Sequence, residues 1–138
     1  SHIAFLGHGS ITQWGQGAGV LSTDDVAGLE PAAPSVVAAY NCLAGYFQHP
    51  VLQGIGEVLQ RRDDAGAIAV LAPTATTGST TNSQAIAHFI TEAYQSRRLR
   101  IGDIFNQVKL DLAGTSTYSE DFIRTWILIG DPALRVHR

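Results

Sequence analysis

Two stretches decide the fold: I-A-F-L-G-H-G-S, Ile3 to Ser10, and S-V-V-A-A-Y-N-C-L-A-G, Ser35 to Gly45. Each is an apolar, β-prone run that stops at a reactive side chain close to glycine, His8 beside Gly9 and Cys42 shortly before Gly45. A continuous apolar run of this kind reads as a parallel strand buried on both faces. In open α/β sheets the chemistry gathers beyond the carboxyl ends of the strands. Neighbouring parallel strands would bring His8 and Cys42 out side by side on one rim, where an imidazole can activate a thiol.

Outward from these runs, strands and helices alternate. Ser10 to Ala18 reads as a polar, glycine-rich loop with Trp14 in its middle. Gly15, Gly17 and Gly19 look like a fragment of a dinucleotide-binding fingerprint, but they neither directly follow a strand nor open a helix, so that reading is rejected. Asp24 and Asp25 stand where the dipole of a short helix favours acids. Pro31 and Pro34 close that segment before a strand from Val36 to Tyr40. Gly45 to Gly54 is a second rim loop, and a helix is expected from about Ile55 to Arg62, with Ile55, Val58 and Leu59 at helical spacing. Ala67 to Ala72 is a third buried strand, stopped by Pro73.

The small-residue loop Thr74 to Thr81 is either a wall of a substrate cleft or a plain connector. Asn82 or Ser83 can cap a helix from Gln84 to Arg97, whose Ile86, Phe89, Ile90 and Ala93 would face inward. Ile101 to Leu112 reads as another helix, and Trp126 to Ile129 as a fourth strand. Asp131, between Gly130 and Pro132, reads as a turn-former. The expected class is therefore α/β, a mostly parallel sheet with helices on both faces.

At 138 residues the chain is one domain's worth, long enough to bury a sizeable core. With 45% apolar and 15% charged residues, it has the balance of a globular protein with a well-buried interior. The net charge of −3 makes Arg61-Arg62 and Arg97-Arg98 with Arg100 solvated faces, so no nucleic-acid partner is expected. No apolar stretch is long enough to span a bilayer and no signal-peptide pattern occurs in the numbered chain, so no membrane partner is expected either.

The single cysteine excludes an internal disulfide, and Cys42 is either an inert core residue or a nucleophile. A zinc site would have to combine Cys42, His8, His49 and scattered carboxylates, without the short ligand spacings such sites use. No metal and no other cofactor is expected. His49 sits in the rim loop, His88 on the helix face opposite Phe89 and towards solvent, and His2 and His137 carry no signal.

The chain opens directly on its histidine strand, with nothing before it to cover that strand's outer edge. Proteins normally pair or cover such an edge. Ile3 to Leu6 is expected to pair with an N-terminal half, a separately processed chain or a second copy.

The order of the reactive residues narrows the chemistry. Papain-like peptidases place cysteine before histidine, whereas the caspase arrangement places histidine upstream, as here. The Cys42 thiolate would attack a carbonyl carbon, while His8 takes the thiol proton and returns it to the leaving amine. The backbone amides of Gly9 and Cys42 are suited to an oxyanion hole, because glycine after the histidine lets the main chain come close.

Four motifs in order carry a resemblance: G-H-G-S-x-x-x-W (Gly7 to Trp14), A-x-N-C-x-x-G (Ala39 to Gly45), G-A-I-A-V-L (Gly66 to Leu71) and L-I-G-D-P-A-L-R-V (Leu128 to Val136). Together they resemble the gingipain-type cysteine peptidases. The resemblance implies a caspase-hemoglobinase fold across residues 1–138, as the C-terminal portion of a peptidase domain whose two preceding strands are absent here. It implies that His8 and Cys42 are the catalytic dyad, and that Trp14 and the loop Pro73 to Ser79, with Thr74 and Thr76, lie near the cleft and its S1 pocket. It further implies a cysteine endopeptidase acting on protein or peptide substrates, an N-terminal partner chain from the same precursor, and a secreted or periplasmic location. Structural calcium is common in that family, and only Asp24-Asp25 suggests a ligand set here. The alternative to an enzyme is a non-catalytic caspase-like interaction module that uses its open edge.

Overall fold

The computed structural model describes residues 1–33, 35–95 and 100–135, without the side chains of residues 117 and 118. The expected helix end at Arg97, the pair Arg97-Arg98 and His137 lie outside these residues. Eleven elements follow one another: β1 (His2–Leu6), β2 (Gln13–Trp14), β3 (Leu21–Ser22), α1 (Thr23–Ala27), β4 (Ser35–Tyr40), α2 (Ile55–Arg61), β5 (Ala67–Pro73), α3 (Ser79–Gln95), α4 (Ile101–Leu112), α5 (Thr117–Thr125) and β6 (Trp126–Gly130).

The main sheet runs in the order β1-β4-β5-β6. β1 and β4 are parallel with Leu6 opposite Tyr40, so both strands end at the same height. β4 and β5 are also parallel. Every residue of β4 is buried, as its apolar run demands. Its side chains alternate between two cores, as a strand's period of two requires. Val36, Ala38 and Tyr40 join Leu71, Phe89, Ile104, Phe122 and Trp126 in one cluster, against α3, α4 and α5. Val37 and Ala39 join Trp14, Val26, Ile55, Leu59 and Val70 in the other, against α1 and α2. Helices thus cover both faces.

The sheet is mostly parallel, as expected, and its one antiparallel pairing is β6 with β5. The reason is the number of passes between them. α3 leaves the rim where β5 ends. α4 starts at the opposite end, its Ile101 N–H donating to Leu134 O beyond β6. α4 finishes back at the rim, where Lys109 Nζ donates to Ile123 O and Trp126 O. After two long passes the chain can only run away from the rim again.

Other differences are local. α3 begins at Ser79 rather than Gln84, so neither Asn82 nor Ser83 is its cap. Ile90 is exposed, and Ala85, Phe89 and Ala93 form the buried stripe. His88 does not simply face solvent: its Nδ1 lies 3.4 Å from Asp111 Oδ2 and bridges α3 to α4. The expected loop Ser10 to Ala18 contains β2, which pairs with β3 beyond it through a turn with left-handed backbone at Gly15, Gly17 and Gly19. α5, unanticipated, opens on a capping box between Ser116 and Ser119. Asp131 does form a turn, its Oδ1 accepting from the Ala133 N–H.

β1 is an edge strand, with Ile3 46% and Leu6 48% exposed. No helix among the described residues is long and apolar enough to cross a membrane.

Candidate active site

The site is built where β1 and β4 run out. Beyond β1, the Gly7 N–H donates to Tyr40 O, so the ladder continues one step past the strand. The chain then turns tightly. His8 O accepts from the Gly15 N–H at 2.7 Å, and Gly9 bridges Trp14. Gly9 has no room for a side chain, because a Cβ there would stand 2.8 Å from Asn41 Cγ and closer still to Nδ2. Glycine at this position is what lets the His8 turn rest on the residue before Cys42.

Beyond β4, Asn41 is fully buried and Cys42 is a half-buried free thiol. Leu43 then takes φ 61°, and it is the one non-glycine residue with positive φ among those described. A bulky side chain in this region is uncommon and costs roughly 1–2 kcal/mol. Hydrogen bonds hold it there. The Leu43 N–H donates to Ala75 O (3.1 Å), the Gly45 N–H to Pro73 O (2.9 Å) and the Gly56 N–H to Ala44 O (2.9 Å).

The loop after β5 closes over the thiol. The Thr77 N–H donates to Cys42 Sγ at 3.4 Å, and Sγ lies 3.8 Å from Thr77 O. Thr77 Oγ1 donates to Asn41 O (2.7 Å) and accepts from Asn82 Nδ2 (2.8 Å). Both amide heteroatoms of Asn41 find no hydrogen-bond partner among the described residues.

A cleft of about 380 Å³ opens here, in the size range of small-ligand sites. Leu6, Gly7 and His8 form one wall, Tyr40 and Cys42 the floor, and Thr77, Ser79, Asn82 and Ser83 the other wall. His8 and Cys42 therefore share one cavity. Tyr40 is packed against Trp126 (ring centroids 5.0 Å), and burial raises its hydroxyl's pKa well above the usual value, so it stays neutral. The arrangement can offer a thiol, an imidazole and backbone N–H groups to a carbonyl substrate.

The other sequence candidates lie apart. Trp14 is 6% exposed and stacks on Phe5 at 5.0 Å, in the core under the sheet rather than in the cleft. Thr74 turns away, its Oγ1 donating to Thr125 O. Thr76 lines a smaller cavity with Asp121, Phe122 and Trp126, which shares Thr77 and Asn82 with the cleft. His49 caps its own loop, its Nδ1 accepting from the Val51 and Leu52 N–H groups. No group of three His, Cys, Asp or Glu able to hold a metal occurs among the described residues. The loop read as a possible cleft wall does supply Thr77 and Ser79, but sequence reasoning did not single out Thr77 and took Asn82 only as a possible helix cap.

The sequence model described as peptidase family C25 matches residues 1–137. Two solved structures share the fold: gingipain R (RgpB), described as an Arg-specific cysteine proteinase, and a complex of the pro- and mature domains of Porphyromonas gingivalis RgpB. The first superposes with a TM-score of 0.90 at 20% identity, over 99% of this chain and 33% of that one. The second gives 0.87 at 21% identity, over 99% and 34%. A third, described only as a protease, gives 0.86 at 15% identity over 100% and 36%. The chain thus spans about a third of the length of these structures. No curated protein sequence matches it.

Proposed function

Because the chain belongs to peptidase family C25, we propose that it carries the nucleophile of a cysteine endopeptidase, with Cys42 attacking and His8 as base and then acid. One observation carries the reading: His8 and Cys42, at the ends of paired parallel strands, line the same cleft. Cys42 Sγ forms a bond to the scissile carbonyl carbon, and its proton passes to His8. The tetrahedral oxyanion is held by the N–H groups of Gly9 and Cys42. Its collapse breaks the C–N bond, and His8 protonates the leaving amine. Water then hydrolyses the acyl-enzyme. Removal of one oxyanion donor typically costs about 10²–10³ in rate.

The substrates are proteins or peptides, whose backbone suits an open cleft between strand ends. The exposed edge of β1 supports a partner segment, placed N-terminally, that adds a strand beside Ile3 and Leu6. The location is extracellular or periplasmic. The same open edge is what a non-catalytic pairing module would use, and the thiol separates the two readings.

The test is alkylation of Cys42 at neutral pH, with and without His8→Ala, alongside peptide hydrolysis by Cys42→Ala. Labelling faster than free cysteine and lost with His8 supports the dyad. Full hydrolysis by Cys42→Ala in the full-length protein would overturn it, and slow labelling in both forms would favour the pairing module.

A further inference from the structure

Three consecutive residues at the nucleophile turn are each tied to the loop between β5 and α3. Asn41 O accepts from Thr77 Oγ1, Cys42 Sγ accepts from the Thr77 N–H, and the Leu43 N–H donates to Ala75 O. The loop is otherwise fixed at its start, where the Thr74 N–H donates to Thr125 O. Its far end is fixed by one side chain. Asn82, 3% exposed in the first turn of α3, donates from Nδ2 to Thr77 Oγ1. Its own N–H donates to Gly78 O, so α3 and the loop's last residues move together.

A threonine hydroxyl has one proton to give and two lone pairs to receive with. With Asn82 donating into it, the Thr77 hydroxyl proton is directed onto Asn41 O. That bond holds the Thr77 main chain where its N–H meets Cys42 Sγ. We propose that Asn82 is a positioning residue for the nucleophile, acting through Thr77 to fix Cys42 Sγ in the cleft. This rests on the cysteine peptidase reading. It also gives the buried Asn82 Nδ2 a partner, while Oδ1 finds none among the described residues. Cys42 directly precedes the strained residue Leu43 and needs an outside brace, and a helix is the stiffest element available to supply one.

The experiment uses the full-length protein with Asn82→Leu, similar in volume and unable to donate, Thr77→Val, the double variant, and Thr77→Ser. Hydrolysis of a peptide substrate, alkylation of Cys42 by iodoacetamide and thermal unfolding are measured. Asn82→Leu is expected to lower kcat and the alkylation rate about tenfold with KM within about twofold, because small displacements of a reacting atom cost about this much or more. Thr77→Val should do the same and Thr77→Ser should recover most of the loss. The double variant should lose no more than Thr77→Val alone, since both act through one bonded series. Asn82→Asp, of the same shape and also without the donor, replaces Asn82→Leu if the latter does not fold. An unchanged kcat in a folded Asn82 variant, or losses that multiply in the double variant, overturns the proposal. An active Cys42→Ala form would instead remove the peptidase reading beneath it.

Discussion

Gly9 and Asn41 touch where any larger residue at position 9 would collide, 2.8 Å from Asn41 Cγ. The turn that carries His8 therefore rests directly on the residue before Cys42. Gly9→Ala must push one of them away, as overpacking does in a filled core. At least a tenfold loss in kcat is expected, at a cost of about 1–3 kcal/mol in stability. Asn41→Ala in the same chain should restore part of the activity by opening room. Peptide hydrolysis and urea unfolding check both, and a Gly9→Ala enzyme within twofold of the parent would remove the contact from the mechanism.

Leu43, at φ 61°, predicts an unusual order among its variants. Leu43→Gly takes up this backbone freely and should hold stability within about 1 kcal/mol. Leu43→Val, branched at Cβ, should lose roughly 1–2 kcal/mol and slow Cys42 alkylation. Equal stability of the two variants in denaturant unfolding would show that the turn relaxes.

Ile3 and Leu6 on β1 predict an effect confined to association. Lysine at either position is a change at an exposed edge and should alter stability by no more than about 0.5 kcal/mol. It should block strand addition, and so reduce hydrolysis and binding of the partner segment together. Retained binding of that segment by an Ile3→Lys, Leu6→Lys double variant would place the partner elsewhere.

The start of α1 predicts a response to acid. The Ser22 hydroxyl and N–H both donate to Asp25 Oδ2, at 2.7 and 2.8 Å, and hold its carboxyl below the ordinary value of 3.8. A depressed carboxyl stabilises the fold above the ordinary value, and the gain is lost as pH falls through the folded one. The parent should be more stable than Asp25→Asn at neutral pH, and the gap should close below about pH 4. A gap that stays constant across that range would show that the carboxylate charge is irrelevant.

Much of this was legible in the chain. The strands that carry His8 and Cys42 declare themselves because a strand buried on both faces is apolar at every position, a signal independent of its neighbours. The direction of β6 was not legible: Trp126 to Gly130 reads the same in either sense, and only the return of α4 to the rim settles it. α5 was missed because its capping pair is Ser116 with Ser119, lacking the glutamate that usually marks such a start. The resemblance implies Trp14 near the cleft, yet a large aromatic finds its place by burial, and Phe5 and Val26 supply it. Thr77 and Asn82 depend on a meeting between residues 35 positions apart, which no local pattern encodes.

β4 and β5 together form a wall common to both hydrophobic interiors. Their amides should be the slowest in the molecule to exchange with deuterium, since freeing them means opening both sides at once. The converse touches the Cys42 sulfur. Fraying on either side loosens the strand that ends in Cys42, so hydrolysis should fade on heating before circular dichroism records unfolding. On the peptidase reading, catalytic output would double as a thermometer for the integrity of two separate interiors.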